Sequence, residues 1–157
     1  MVFQPASGSE LYQELVLDHN RRPRHFRVLE NASAQGVGKN PNCGDHFTIY
    51  VRVNEANVAE EVTFQGFGCA ISKASASMMT ALLHGKDLVT IHQLSHQFRL
   101  LATGNGAEVS TETRAALGSL AWLESVSRYP MRVKCATLAW HALEAALSGQ
   151  TEEVTTE

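Results

Sequence analysis

Phe47-Thr48-Ile49-Tyr50-Val51-Arg52-Val53 sets Phe47, Ile49, Val51 and Val53 on alternate positions, in a run rich in aromatic and β-branched residues. That period predicts a strand with one face in a core. Asn54-Glu55-Ala56-Asn57 reads as a turn, and Val58 to Phe67 as a second strand, so the pair predicts an antiparallel hairpin. Gly66-Phe67-Gly68-Cys69 closes the strand, and Ala70 to Leu83 then switches to Ala, Ser, Met and Leu. These are helix formers, with Gly85 just past their end. A hairpin running straight into a helix indicates α+β architecture.

Outward from this stretch the chain reads as helical. Ser7-Gly8-Ser9-Glu10 has capping-box spacing, and Leu11, Tyr12, Leu15, Val16 and His19 form one amphipathic stripe that ends before Pro23. That stripe either docks on the chain's own core or faces a partner. Asn31 to Pro41 is rich in Gly, Asn, Ser and Ala, which predicts irregular chain or a short edge strand. Asp87 to Leu101 predicts a helix, Thr103 to Gly106 a loop, and Ser110 the start of a helical segment through Leu117, Leu120 and Leu123. Pro130 opens the last helix, on which Cys135, Leu138, Ala139, Ala142 and Ala146 share a face, with Arg132 one turn before Cys135. Ser148 to Glu157 is polar and has no core pattern. The expected fold is α+β, a small antiparallel sheet packed against several helices. One domain is expected over residues 1–147, with a disordered tail over 148–157.

At 157 residues the chain buries a core without disulfide staples. Three cysteines, an odd number, and the lack of a charged stretch followed by an apolar run at the N-terminus speak against a secreted disulfide scaffold. The expected setting is the cytosol, where thiols stay reduced. No stretch approaches the roughly 20 apolar residues that cross a bilayer. A net charge of -3 gives no reason to expect nucleic acid as a partner. The short basic clusters, Arg21 to Arg27 and Arg132 to Lys134, read as solvated surface.

Candidate chemistry rests on Cys43, Asp45, Cys69 and Cys135. Free cysteine is often only a small buried hydrophobe, but placement argues otherwise here. Cys43 and Asp45 precede a strand, Cys69 follows one at a helix start, and Cys135 lies near another helix start. Element ends are where a fold converges ligands. Three soft thiolates and one hard oxygen suit tetrahedral zinc or an iron–sulfur centre. Around a divalent zinc they carry a net charge of about -2, which Lys73, Arg132 and Lys134 are placed to offset. At a helix N-terminus Cys69 is favoured as thiolate. His46 is a weaker ligand than Asp45, because its side chain points to the other face of the strand. His92 and His96 have metal-binding spacing, but with His84 and His141 they read as surface or satisfied core residues. Met78, Met79, Trp122 and Trp140 read as packing residues.

The chain resembles the iron–sulfur cluster assembly proteins related to the NifU N-terminal domain, the IscU/NifU-like family, and most closely the SufU branch. The carriers are Leu11-Tyr12 through Asp18-His19 and Pro23, Asn40-Pro41-Asn42-Cys43-Gly44-Asp45, Phe67-Gly68-Cys69-Ala70-Ile71-Ser72, and Arg132-Val133-Lys134-Cys135 through Trp140. Lys134 stands where IscU-type members carry a histidine, and Tyr129-Pro130-Met131-Arg132 replaces their proline-rich lysine motif. The stretch from about Ala102 to Tyr129 looks like the SufU insertion.

The resemblance implies a SufE/NifU-like fold and a zinc-dependent acceptor of persulfide sulfur. A SufS-type cysteine desulfurase would be the donor and the iron–sulfur assembly machinery the recipient. Zinc would be held by Cys43, Asp45, Cys69 and Cys135. Cys43 would take the sulfur after a desulfurase histidine displaces it, and Arg132 would help open or orient the site. Two alternatives stand beside this reading: a scaffold for a labile [2Fe-2S] cluster on the same side chains, and a zinc-stabilised interaction module without sulfur chemistry.

Overall fold

The computed structural model describes residues 8–150 and 152–156. In chain order the elements are α1 (Gly8–Arg21), β1 (Ala34–Asn40), β2 (Asp45–Val53), β3 (Ala59–Phe67), α2 (Ala70–Leu83), α3 (Leu88–Ala102), α4 (Thr111–Leu117), α5 (Pro130–Leu147) and β4 (Val154–Thr155). A 3₁₀ segment, Gly118–Arg128, joins α4 to α5. Ser7 of the expected capping box lies outside the described residues, and α1 ends at Arg21, just ahead of Pro23. The class is the expected α+β, with helices packed on one small sheet.

The sheet order is β3-β2-β1-β4. The predicted hairpin is β2 with β3, antiparallel, and β1 adds antiparallel to the other side of β2. In the stretch expected to be unpaired tail, Val154–Thr155 runs parallel to β1 and makes the sheet mixed. Along β2 the inner face carries Asp45, Phe47, Ile49 and Val51, all buried, while His46, Thr48, Tyr50 and Arg52 point the other way. Period two therefore places an aspartate on the same inner face as the core.

Strand β1 owes its form to α5. Its inner face is Gly36, Gly38 and Asn40, and a Cβ at Gly36 would collide with the Ala142 carbonyl oxygen on α5. At Gly38 a Cβ would meet Leu138 at 3.0 Å and Ala142 at 3.2 Å. Glycine lets helix backbone lie against strand backbone. Leu138 thus covers Gly38, and one turn back along α5 Cys135 reaches Asn40.

On its other side α5 packs on α2 and α3. Trp140 is fully buried and stacks on Phe98 with centroids 4.6 Å apart. Its indole N–H donates to Ser75 Oγ at 3.2 Å, and Ser75 donates to the Ala136 carbonyl at 2.6 Å. Trp122, expected to pack, is instead 44% exposed. Gly118, with φ of 57°, ends α4, so the helical run expected from Ser110 continues as 3₁₀.

Three histidines are held neutral by the fold. Burial comes first in pushing His19, His25 and His141 below the ordinary histidine value, with Arg24, His84 and Arg99 respectively adding to it. His19 also bonds Ser77 Oγ through Nδ1 at 2.7 Å. The unfolded chain protonates these rings near pH ~6.5 and the folded chain does so only lower down. Stability is therefore expected to fall as pH drops below about 6.5. Urea midpoints measured between pH 7.5 and 5.5 should fall less steeply for His19→Gln than for the parent, and identical slopes would contradict this.

Candidate metal and thiol site

The β1–β2 connection is tight. Asn40 pairs with Asp45 in register, leaving Pro41-Asn42-Cys43-Gly44 as the loop, and Gly44 takes φ of 72°. The Cys43 N–H donates to the Asn40 carbonyl at 3.2 Å, so Cys43 projects from a closed turn and is exposed. Asp45, at the first position of β2, is fully buried. His46 pairs with Phe67, which brings Gly68 and Cys69 beside Asp45. There the Cys69 N–H donates to Asp45 Oδ1 at 2.8 Å.

Cys135 enters from the second turn of α5. It is 4% exposed, and its thiol donates to Cys43 Sγ at 3.4 Å. Ligand atoms of Cys43, Asp45 and Cys135 all lie within 4.8 Å of one another. Bonds of ~2.3 Å to a tetrahedral ion give edges near 3.8 Å, so the spacing fits one cation. Cys69, expected as the fourth ligand, is not within that 4.8 Å set and stands beside it as the N-cap of α2. Its sulfur accepts from the Ser72 N–H at 3.4 Å, and the Ser72 hydroxyl lies 3.5 Å away.

The thiols differ in acidity. Hydrogen bonding from Cys135 draws the Cys69 thiol down to about 6, helped by the Ser72 hydroxyl and N–H and opposed by burial and Asp45. Hydrogen bonding to Cys69, then burial, then hydrogen bonding to Cys43, pushes Cys135 far up. The N-cap position of Cys69 acts in the direction expected from sequence.

The donor set asks for a cation. A fully buried carboxylate is costly unless it is paired, and among the described residues no Lys, Arg or His forms an ion pair with Asp45. Among the described residues the cations thought to offset charge form no ion pair with Asp45. Lys73 Nζ lies 5.0 Å over the Phe26 ring, and the Arg132 guanidinium lies 4.4 Å over Tyr129. Lys134 is half-buried. A metal ion would supply the missing charge, with Cys43, Asp45 and Cys135 closest to hand.

The chain matches the family described as "NifU-like N terminal domain" over residues 11–136, a span that contains all three cysteines and Asp45. This chain belongs to the NifU-like N-terminal domain family. It is 37% identical to "Zinc-dependent sulfurtransferase SufU" of Bacillus subtilis (strain 168), over 91% of this chain and 93% of that protein. It is also 37% identical to "Iron-sulfur cluster assembly scaffold protein IscU" of Streptococcus pyogenes serotype M1, over 88% of this chain and 84% of that one. Among solved structures it is similar to an iron–sulfur cluster assembly scaffold protein for the SUF system from Fervidobacterium islandicum AW-1. That likeness has a TM-score of 0.79 and 33% identity, covering 87% of this chain and 96% of that one. The NifU-like family and the α+β fold are thus those that the sequence motifs pointed to.

Other sequence candidates stand apart from the cluster. His46 is on the outer face, 3.4 Å from Glu153, and His92 bonds Glu144 on α5 at 2.9 Å. Two residues around the NifU-like site went unassigned in the sequence. Asn40, fully buried, lies 3.5 Å from Asp45 Oδ2 and 3.7 Å from Cys135 Sγ through Nδ2, and its Oδ1 has no partner. Tyr12 on α1 has a buried hydroxyl without a hydrogen-bond partner among the described residues. Asn40 stands within a quoted motif, and its register opposite Asp45 is the signal that assigns it.

Gly68 seals the site's geometry. A Cβ there would lie 2.6 Å from Asp45 Oδ1, 2.7 Å from Ser72 Oγ and 2.8 Å from the buried Phe47 ring. Phe47 cannot retreat, so the carboxylate must. Gly68→Ala is expected to weaken metal affinity by about tenfold or more, as losses of supporting contacts do. Competition against a chromophoric chelator reads this. Unchanged affinity would mean that Asp45 is free to move.

Proposed function

We propose that this chain is a zinc-dependent sulfur acceptor for a SufS-type cysteine desulfurase, passing persulfide sulfur to iron–sulfur cluster assembly. The observation that carries the reading is the pairing of an exposed thiol, Cys43, with a buried Cys135 and Asp45 in one cluster. Zinc would be held by Cys43, Asp45, Cys69 and Cys135, and when bound it stabilises thiolates and neutralises the buried carboxylate. Four protein ligands leave no position for a metal-bound water, so hydrolysis is not the chemistry supported.

The residues divide the work. Cys43 sits on a turn that projects outward, where a partner's persulfide reaches it. Its thiolate attacks the outer sulfur of the partner's S–SH group. A new S–S bond forms at Cys43, and the partner's cysteine leaves as thiolate with the electron pair of the broken bond. Asp45 and Asn40 hold the inner side of the cluster. Arg132, exposed one turn before Cys135, is placed to receive the anionic persulfide. A cytosolic setting, where thiols stay reduced, suits three free cysteines. Among the described residues no helix is long and apolar enough to cross a membrane.

The second reading, a scaffold for a labile [2Fe-2S] cluster, uses the same donors and is supported by the similarity to the Streptococcus protein named as a scaffold. Metal analysis and visible absorbance of anaerobically purified protein separate the two. Colourless protein with one zinc per chain is expected, and stoichiometric iron with sulfide absorption would favour the scaffold. Raised desulfurase turnover on adding the zinc-loaded protein is also expected. Unchanged turnover would leave a zinc-stabilised module without sulfur chemistry.

A further inference from the structure

Between α1, the 3₁₀ segment Gly118–Arg128 and the first turn of α5 lies a cavity of about 700 Å³. That volume is in the range of small-molecule sites. Tyr12, Trp122, Glu124, Arg128, Tyr129 and Arg132 are among its walls. Glu124 is bonded by Arg114 at 2.8 Å, whereas among the described residues Arg128 and Arg132 form no ion pair. The cavity therefore carries an excess of positive charge. The Arg132 guanidinium lies 4.4 Å over the Tyr129 ring, which holds its fork of donors at the cavity wall. Arg132, in the wall, stands one turn before Cys135 on α5, and the Cys135 sulfur lies 3.4 Å from Cys43 Sγ, so this end of the cavity lies about one helical turn from the thiol cluster.

We propose that this cavity takes a small thiol bearing a carboxylate, and that this thiol carries the sulfur away from Cys43. The proposal rests on the sulfur-acceptor reading above. Arg128 and Arg132 bind the carboxylate. The thiolate attacks the outer sulfur of Cys43–S–SH, and its electron pair makes the new S–S bond. The pair of the old S–S bond returns to Cys43, which leaves as thiolate, and the product is a small-molecule hydropersulfide. The transferred sulfur keeps its oxidation state, so no reductant is consumed.

Binding and transfer are tested separately on the full chain. Trp122 stands in the cavity wall while Trp140 is fully buried, so tryptophan emission reports occupancy. Titration with 3-(methylthio)propionate, an unreactive thioether, is expected to saturate in the parent protein and to weaken by about tenfold in Arg128→Gln, the loss typical of one charge-assisted bond. Persulfide-loaded protein is then mixed with 3-mercaptopropionate or 2-mercaptoethanol and followed by intact mass. Saturable sulfur loss is expected with the acid alone, again weakened about tenfold in Arg128→Gln, with the rate toward 2-mercaptoethanol unchanged. Linear dependence on both thiols, or no response to Arg128→Gln, overturns the proposal. So does an emission change produced by the desulfurase but not by the thioether, which would give the cavity to a protein segment. Failure of Cys43 to load sulfur would sink the acceptor reading, while the thioether titration still decides whether the cavity takes the acid.

Discussion

Cys43→Ala is expected to abolish stimulation of a SufS-type desulfurase while leaving the fold in place. The side chain projects from the β1–β2 loop, is exposed, and among the described residues makes its polar contact only with Cys135 at 3.4 Å. The bond from its N–H to Asn40 is a backbone bond and survives the change. Exposed substitutions of this kind move stability by about 0.5 kcal/mol or less, so the unfolding midpoint of the metal-free variant should match the parent. Turnover, by contrast, should return to that of the desulfurase alone, because neither remaining thiol is as well placed. Cys135 is buried and Cys69 is capped against Ser72. Full stimulation by the variant would show that sulfur enters elsewhere.

Asp45→Ala is expected to separate the metal-bound from the metal-free protein. Without metal, the change removes a buried carboxylate that lacks a cation, which is favourable, and orphans the Cys69 N–H, which costs about 1–3 kcal/mol. The two effects oppose each other, so metal-free stability should shift little. With metal, a ligand is lost. Affinity should fall at least about a hundredfold, beyond what loss of a merely supporting contact brings, and zinc-dependent stabilisation should shrink with it. Denaturation with and without zinc, together with chelator competition, measures both. Equal affinity and equal exchange rate in variant and parent would remove Asp45 from the ligand set.

Much of this arrangement was legible because particular residues obey local rules. The β2–β3 hairpin follows from period-two β-branched and aromatic positions, and α5 starts where Pro130 permits. Cys43, Asp45 and Cys135 were recognisable by their places at element ends. Strand β1 was harder to read, because its inner residues are Gly36 and Gly38, chosen for contact with α5 rather than for strand propensity. Asn40 and Tyr12 were missed for a related reason: their roles depend on which residues the fold sets opposite them. Trp122 misled, since aromaticity alone does not say whether a ring fills a core or lines a cavity. Cys69 was legible as a helix cap, and the structure adds the bond from its N–H to Asp45.

The most direct test is to incubate the zinc-loaded protein with desulfurase and cysteine, trap thiols and persulfides with an alkylating agent, and map the added sulfur by peptide mass spectrometry. One extra sulfur atom on the Cys43 peptide, formed only when both desulfurase and cysteine are present, is the predicted result. Extra sulfur confined to Cys69 or Cys135, or none on any of the three, would contradict the account.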